Sequence, residues 1–180
     1  MYRRSYYRGR GSKYSNETIC VNAQVTASTD AGDPLSTHPI IVVPPTDVLG
    51  NRKVKNFTLK FNSYLCDNPV IGVLAYVPEG TEMNKPLVTG PVQSLYEPNQ
   101  NVIATFVIPP SCTRTNDGDV HQALASTTIV VSNKLARNLN TGDSIKLALV
   151  SPDGITAGDG QGDNPPPAQI CGTINFSIKY

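Results

Sequence analysis

The sequence predicts an all-β protein: a single jelly roll of two antiparallel sheets and eight strands, behind a short, flexible, basic N-terminal arm. Three observations predict it. Apolar and polar residues alternate with period two over several separate stretches, while no comparable stretch holds a helical period. Fifteen Pro and fourteen Gly punctuate the chain between those stretches, so turns are many and helices few. Regular strands near both ends, with long Pro-rich loops between, match a double Greek key whose terminal strands share one sheet. The Cys…Trp…Cys centre of an immunoglobulin-like sandwich is missing, since the chain has no Trp. No internal repeat divides the 180 residues, enough for one domain with a substantial core.

The arm comes first, at residues 1–16, and the jelly-roll body follows at 17–180. MYRRSYYRGRGSKY holds Arg3, Arg4, Arg8, Arg10 and Lys13 with no acid before Glu17, interleaved with Tyr2, Tyr6, Tyr7 and Tyr14. The remaining chain has ten basic and fourteen acidic residues, a formal −4, so a mildly acidic body carries a cationic arm. Guanidinium groups pair bidentately with phosphates, and Tyr and Arg planes stack on unpaired bases. This composition suits a contact with single-stranded nucleic acid. Too little apolar matter is present for the arm to fold alone.

Along the body, Ile19, Val21, Ala23, Val25 and Ala27 alternate with polar residues, the pattern of a half-buried strand. Gly32, Pro34 and Pro39 break it, and IIVV at 40–43 reads as an edge segment closed by Pro44 and Pro45. Phe57, Leu59 and Phe61 face one way over 53–65. VIGVLAYV at 70–77 is apolar on both faces, as in a strand covered on two sides. Residues 81–100 read as a long loop, VIATFVI at 102–108 as a strand, and 111–119 as loop. DVHQALA at 119–125 is expected to form a turn or two of helix. Strands follow at 127–131, 134–139 and 144–150, the last two joined through NTGD. A Gly/Asp/Pro loop spans 153–167, and QICGTINFSIKY closes the chain as a long strand. Val21, Val25, Leu59, Phe61, Val73, Phe106, Leu147, Ile174 and Phe176 are expected to lie buried between the sheets.

Charged residues make up 16% of the chain, against about 25% in ordinary soluble proteins, which suits a body covered by neighbouring subunits. No apolar run approaches the length of a membrane span, and Met1 leads into charges rather than a secretory h-region. Cys20, Cys66, Cys112 and Cys171 are widely spaced without a C-x-x-C pair, so free buried thiols in a reducing compartment are expected, not a zinc site. The N-x-[ST] triplets at Asn16, Asn56 and Asn175 are as many as chance gives in so Asn- and Thr-rich a chain. His38 and His121 sit in separate loops, and Cys112 with His121 lacks a third member, so no catalytic role is expected. Asp153, Asp159 and Asp163 lack the order and terminal Glu of a calcium loop. No cofactor or metal is expected.

A second basic group, Arg52, Lys53, Lys55 and Lys60, stands at the entrance of the 53–65 strand. It fits either a lining beside the arm or a solvated strand edge guarded by lysines.

The arm MYRRSYYRGRG, the strand VIGVLAYVPEG, the LNTGDSIKL turn and the terminal TINFSIKY together resemble the capsid proteins of circovirus-like, Rep-encoding, circular single-stranded DNA viruses. Both arm and body are shorter than in the better-known circoviruses. The resemblance implies a closed icosahedral homo-oligomer of roughly sixty copies (T=1). It also implies nuclear import through the arm, assembly in the host nucleus, localisation in the virion, and packaging of single-stranded DNA. The family's nucleic-acid role carries over to Arg3, Arg4, Arg8, Arg10 and Lys13, with the four arm tyrosines stacking. The residues alone do not separate DNA from RNA and name no host attachment factor. The same layout also fits the coat of a satellite-type RNA virus, or a non-viral jelly-roll binding module with a basic tail.

Overall fold

A computed structural model of the chain describes residues 14–25, 35–36, 39–64, 66, 68–81, 83, 101–114, 121–123, 128–151 and 168–180. Twelve strands follow in chain order: β1 Ser15–Val25, β2 Leu35–Ser36, β3 Ile40–Val43, β4 Arg52–Tyr64, β5 Val70–Val77, β6 Asn101–Ile108, β7 Cys112–Arg114, β8 His121–Ala123, β9 Ile129–Asn133, β10 Arg137–Leu139, β11 Ser144–Ser151 and β12 Ala168–Lys179. Among the described residues there is no helix.

The strands form two sheets and a small ribbon. The first sheet runs β1-β12-β4, with β9 and β10 sharing the far edge of β4; the second has β2 and β3 sharing one edge of β11, then β5 and β6. Each sheet thus has four strand positions, and every pairing is antiparallel. Terminal strands β1 and β12 lie side by side, Ser15 opposite Ile178 through Val25 opposite Ala168. This order is the jelly roll. β1 begins at Ser15, two residues before the expected start of the body.

One local expectation is overturned. Residues 121–123 form strand β8, not helix, and pair with β7 inside the stretch read as loop, Arg114 opposite His121. A lone helical turn closes few hydrogen bonds for the dihedrals it fixes, whereas a ribbon satisfies backbone groups on both segments.

The core lies between the sheets. Val21, Leu59, Phe61, Ile174 and Phe176 of the first sheet meet Leu74, Phe106, Ile145, Leu147 and Leu149 of the second. Phe61 stands opposite Gly172 on its own sheet, and Phe106 opposite Gly72 on the other. Each ring fills the space left by a glycine. The side chain of Asn133 on β9 donates to the Ile103 carbonyl on β6, tying the sheets at one margin.

Val73 is 0% exposed but does not lie between the sheets. Its parity puts it on the outer face of the second sheet, where Ala75, Val77, Ala148, Val150 and Met83 make a second apolar cluster. The expectation that β5 is covered on both sides holds, and the predicted face of Val73 is corrected. The side chain of Val25 and residue Ala27 lie outside the described residues, as does nearly all of 81–100 and 153–167.

A bulge in β4 inverts part of that strand. Pairing with β12 slips between Asn175 and Ser177, where Asn56 adopts a left-handed backbone at φ 58°. Asn tolerates this conformation better than most residues with a side chain. Val54 and Phe57 both point inward as a result, and the two halves of β4 have opposite parity.

Candidate nucleic-acid interface

The outer faces of the two sheets differ. The second sheet is covered by its own chain at Met83, while the first presents polar side chains to solvent. On the first sheet the outward positions are Asn16, Thr18, Cys20 and Asn22 of β1, Cys171, Thr173, Asn175, Ser177 and Lys179 of β12, and Lys53, Lys55, Thr58, Lys60 and Asn62 of β4. Side chains link across the strands: Thr18 Oγ1 donates to Asn175 Oδ1 at 2.6 Å, and Ser177 Oγ to Asn16 Oδ1 at 2.8 Å. No strand position on this face carries Asp or Glu among the described residues; Glu17 pairs with the buried Phe176 and so shares the opposite face.

Of the four basic residues expected at this strand, Lys53 and Lys60 are exposed and Lys55 is half-buried, all on the open face. Arg52 is the correction. It is 6% exposed, on the inner side, where its guanidinium donates to the Pro44 carbonyl at 2.8 Å and to the Asp143 main-chain carbonyl at 2.9 Å. Unbroken alternation would place Arg52 with Lys60; the Asn56 bulge moves it inside and sends Lys53 and Lys55 out. Arg52 therefore braces the fold and is closed to an external anion.

Lys179 takes its place on the face. It stands opposite Lys53 through the β4–β12 ladder. The alternation of TINFSIKY already sets Lys179 against the inward Ile178, but its meeting with Lys53 depends on a pairing of distant segments.

Tyr14 is the one arm tyrosine among the described residues. Its ring lies beneath the Lys55 ammonium, with Nζ 3.9 Å from the centroid. Such a contact contributes about 0.5–1 kcal/mol at an exposed site. It roots residue 14 on the basic face, so the arm joins the body there. Arg3, Arg4, Arg8, Arg10, Lys13, Tyr2, Tyr6 and Tyr7 lie outside the described residues.

At the same end of the sandwich, Asp143 organises the neighbouring turns. Its carboxylate accepts from Tyr76 Oη at 2.7 Å, the Asn140 amide at 2.7 Å and the Glu79 amide at 3.1 Å. Burial pushes its pKa up, but the Tyr76 hydroxyl, the two amides and the Arg52 charge outweigh that and hold it below the ordinary carboxylate value. Burial first, then the hydrogen bond and the charge of Asp143, push the Tyr76 phenol up to about 12.

Cys20 and Cys171 are exposed free thiols on the open face, correcting the expectation that all thiols are buried; Cys66 is buried. Outward strand parity is the cause. His38, Asp153, Asp159 and Asp163 lie outside the described residues, and His121 is placed by its backbone alone. Among the described residues no group of three or more His, Cys, Asp or Glu is placed to hold a metal, and no helix is long and apolar enough to cross a membrane.

Fold and face define a jelly-roll domain with a buried apolar cluster on the outside of one sheet and an open, basic face on the other. No family model matches the chain, and no curated protein sequence does. Among solved structures, the chain is similar to one in a structure of infectious bursal disease virus, Gx strain, with TM-score 0.36 and 11% identity. The match covers 91% of this chain and 32% of that one, so the chain spans about a third of its neighbour's length. So weak a likeness carries no argument, and the jelly roll rests on the strand order itself.

Proposed function

We propose that the chain is a structural capsid subunit, which assembles with copies of itself into a closed shell and holds a single-stranded genome through its basic arm. The observation that carries this reading is charge segregation on a jelly roll. Five cations precede residue 14, the remaining body is formally −4, and Tyr14 sits on the basic face through Lys55. Arg3, Arg4, Arg8, Arg10 and Lys13 neutralise phosphates, and Tyr2, Tyr6 and Tyr7 stack on bases without reading sequence. The family resemblance adds the finer features: an icosahedral T=1 shell of roughly sixty subunits, DNA rather than RNA, and assembly in the host nucleus before residence in the virion. No catalytic step is part of the proposal.

Electron microscopy and sedimentation of the purified protein test it. Closed shells that contain nucleic acid are the expected result. A protein that stays monomeric at high concentration under all ionic conditions overturns the capsid reading and favours a binding module.

A further inference from the structure

We infer that the open face of the first sheet is itself a binding surface for the phosphate backbone of single-stranded nucleic acid, with Lys53, Lys55, Lys60 and Lys179 as its phosphate contacts. The inference rests on the nucleic-acid part of the proposed function and extends it from the arm to the folded body.

Charge complementarity selects the occupant. Four ammonium groups share a face whose strand positions carry no carboxylate among the described residues, although the body as a whole has more acids than bases. Between them stand Asn, Thr and Ser side chains, neutral donors of the kind that contact phosphate and sugar. A second copy of the chain fits this face poorly. Cores of protein–protein interfaces are apolar and depleted of Lys. Here the large exposed apolar groups, Val130 at 57% and Tyr64 at 63%, belong to a flanking strand and a strand end. A sheet face this broad does not enter a duplex groove, but it supports a splayed strand, with Tyr64 as a plane for an unpaired base. The Tyr14–Lys55 contact makes arm and face continuous, so a strand held by one passes directly to the other.

Two native thiols report on the face. Cys20 stands opposite Thr173, which in turn stands opposite Lys60, and Cys171 lies between Asn22 and Asn62. Full-length protein at low salt is alkylated with iodoacetamide, with and without oligothymidylate, and each site is followed by peptide mass spectrometry. The expected result is several-fold slower alkylation of Cys20 and Cys171 with the oligonucleotide, reversed by high salt. The buried Cys66 stays protected throughout and reports an intact fold. In parallel, the variant K53Q/K55Q/K60Q/K179Q should bind oligothymidylate with a log–log salt slope shallower by about three, because each phosphate no longer neutralised takes about 0.7 from the slope.

Unchanged alkylation while the oligonucleotide is bound overturns the inference and leaves the arm as sole contact, with the capsid reading standing. Protection in empty shells without nucleic acid also overturns it, making the face a contact between copies. Absence of both shells and oligonucleotide binding overturns inference and proposed function together.

Discussion

The rings of Phe61 and Phe106 stack across the middle of the sandwich, centroids 5.1 Å apart and planes within 9°. Each ring lies against a glycine on its own sheet, so a Cβ at Gly72 would run into the Phe106 ring. One at Gly172 would meet both the Phe61 ring and the Lys60 carbonyl. Neither ring can swing away, because each is clamped by the other. Gly72→Ala and Gly172→Ala should each destabilise the fold by about 2–3 kcal/mol. Gly172→Ala should cost more, because a backbone carbonyl cannot rotate aside. Denaturant midpoints at unchanged m-value check both.

Asp143 gives the protein an acid limit. Its pKa is held down in the folded state, so its contribution is complete above the unfolded value near 4 and disappears as pH falls through the lower folded value. Tyr76 acts at the other extreme. Its neutral form is favoured by folding, so that stabilisation is complete below about pH 10 and is lost as pH rises toward 12. Asp143→Asn should destabilise by about 2–3 kcal/mol at neutral pH, since an amide group faces donors. It should also flatten the acid side of a Tm-versus-pH curve.

The bulge makes a sharper demand on one side chain. Asn56→Gly should be close to neutral, whereas Asn56→Val, β-branched at φ 58°, should cost about 1–2 kcal/mol. Equilibrium unfolding of the two variants against the parent measures the difference.

Deleting residues 2–13 removes five cations and no residue of β1, which begins at Ser15. The truncated protein should keep its far-ultraviolet circular dichroism and cooperative unfolding. Its salt slope for oligothymidylate should fall by about three to four, at about 0.7 for each phosphate left unneutralised. Particles formed from it should show a lower 260/280 nm absorbance ratio.

Alternation predicts the inward face correctly where a long strand runs without a left-handed residue. Ile145, Leu147 and Leu149, or Ile170, Ile174 and Ile178, show their inward face in the bare residue order. Arg52 was not legible, because one left-handed residue four positions later reverses its side, and Asn56 looks like any polar strand residue. Val73 was legible as buried but not as to which layer, since β5 is apolar on both faces. The ribbon of β7 and β8 has three residues per strand, too few to display a period. Of the candidate site, the lysines of β4 were visible as a cluster. That Lys179 joins them is a fact of pairing between segments far apart in the chain.

That separation also orders events as the protein is made. β12 sits between β1 and β4 in the first sheet, yet follows every other strand in the chain. Until it emerges, β1 lacks the neighbour it pairs with from Ser15 to Val25, and the two must close a loop spanning most of the sequence. The second sheet closes only slightly sooner: β5 and β6 are consecutive, but β11, which pairs with β2, β3 and β5, comes just before β12. A nascent chain can therefore pair β5 with β6 early, while the layer that carries the lysines closes only when β12 enters between β1 and β4. Lys53 and Lys179 meet on one face only once β12 has paired with β4.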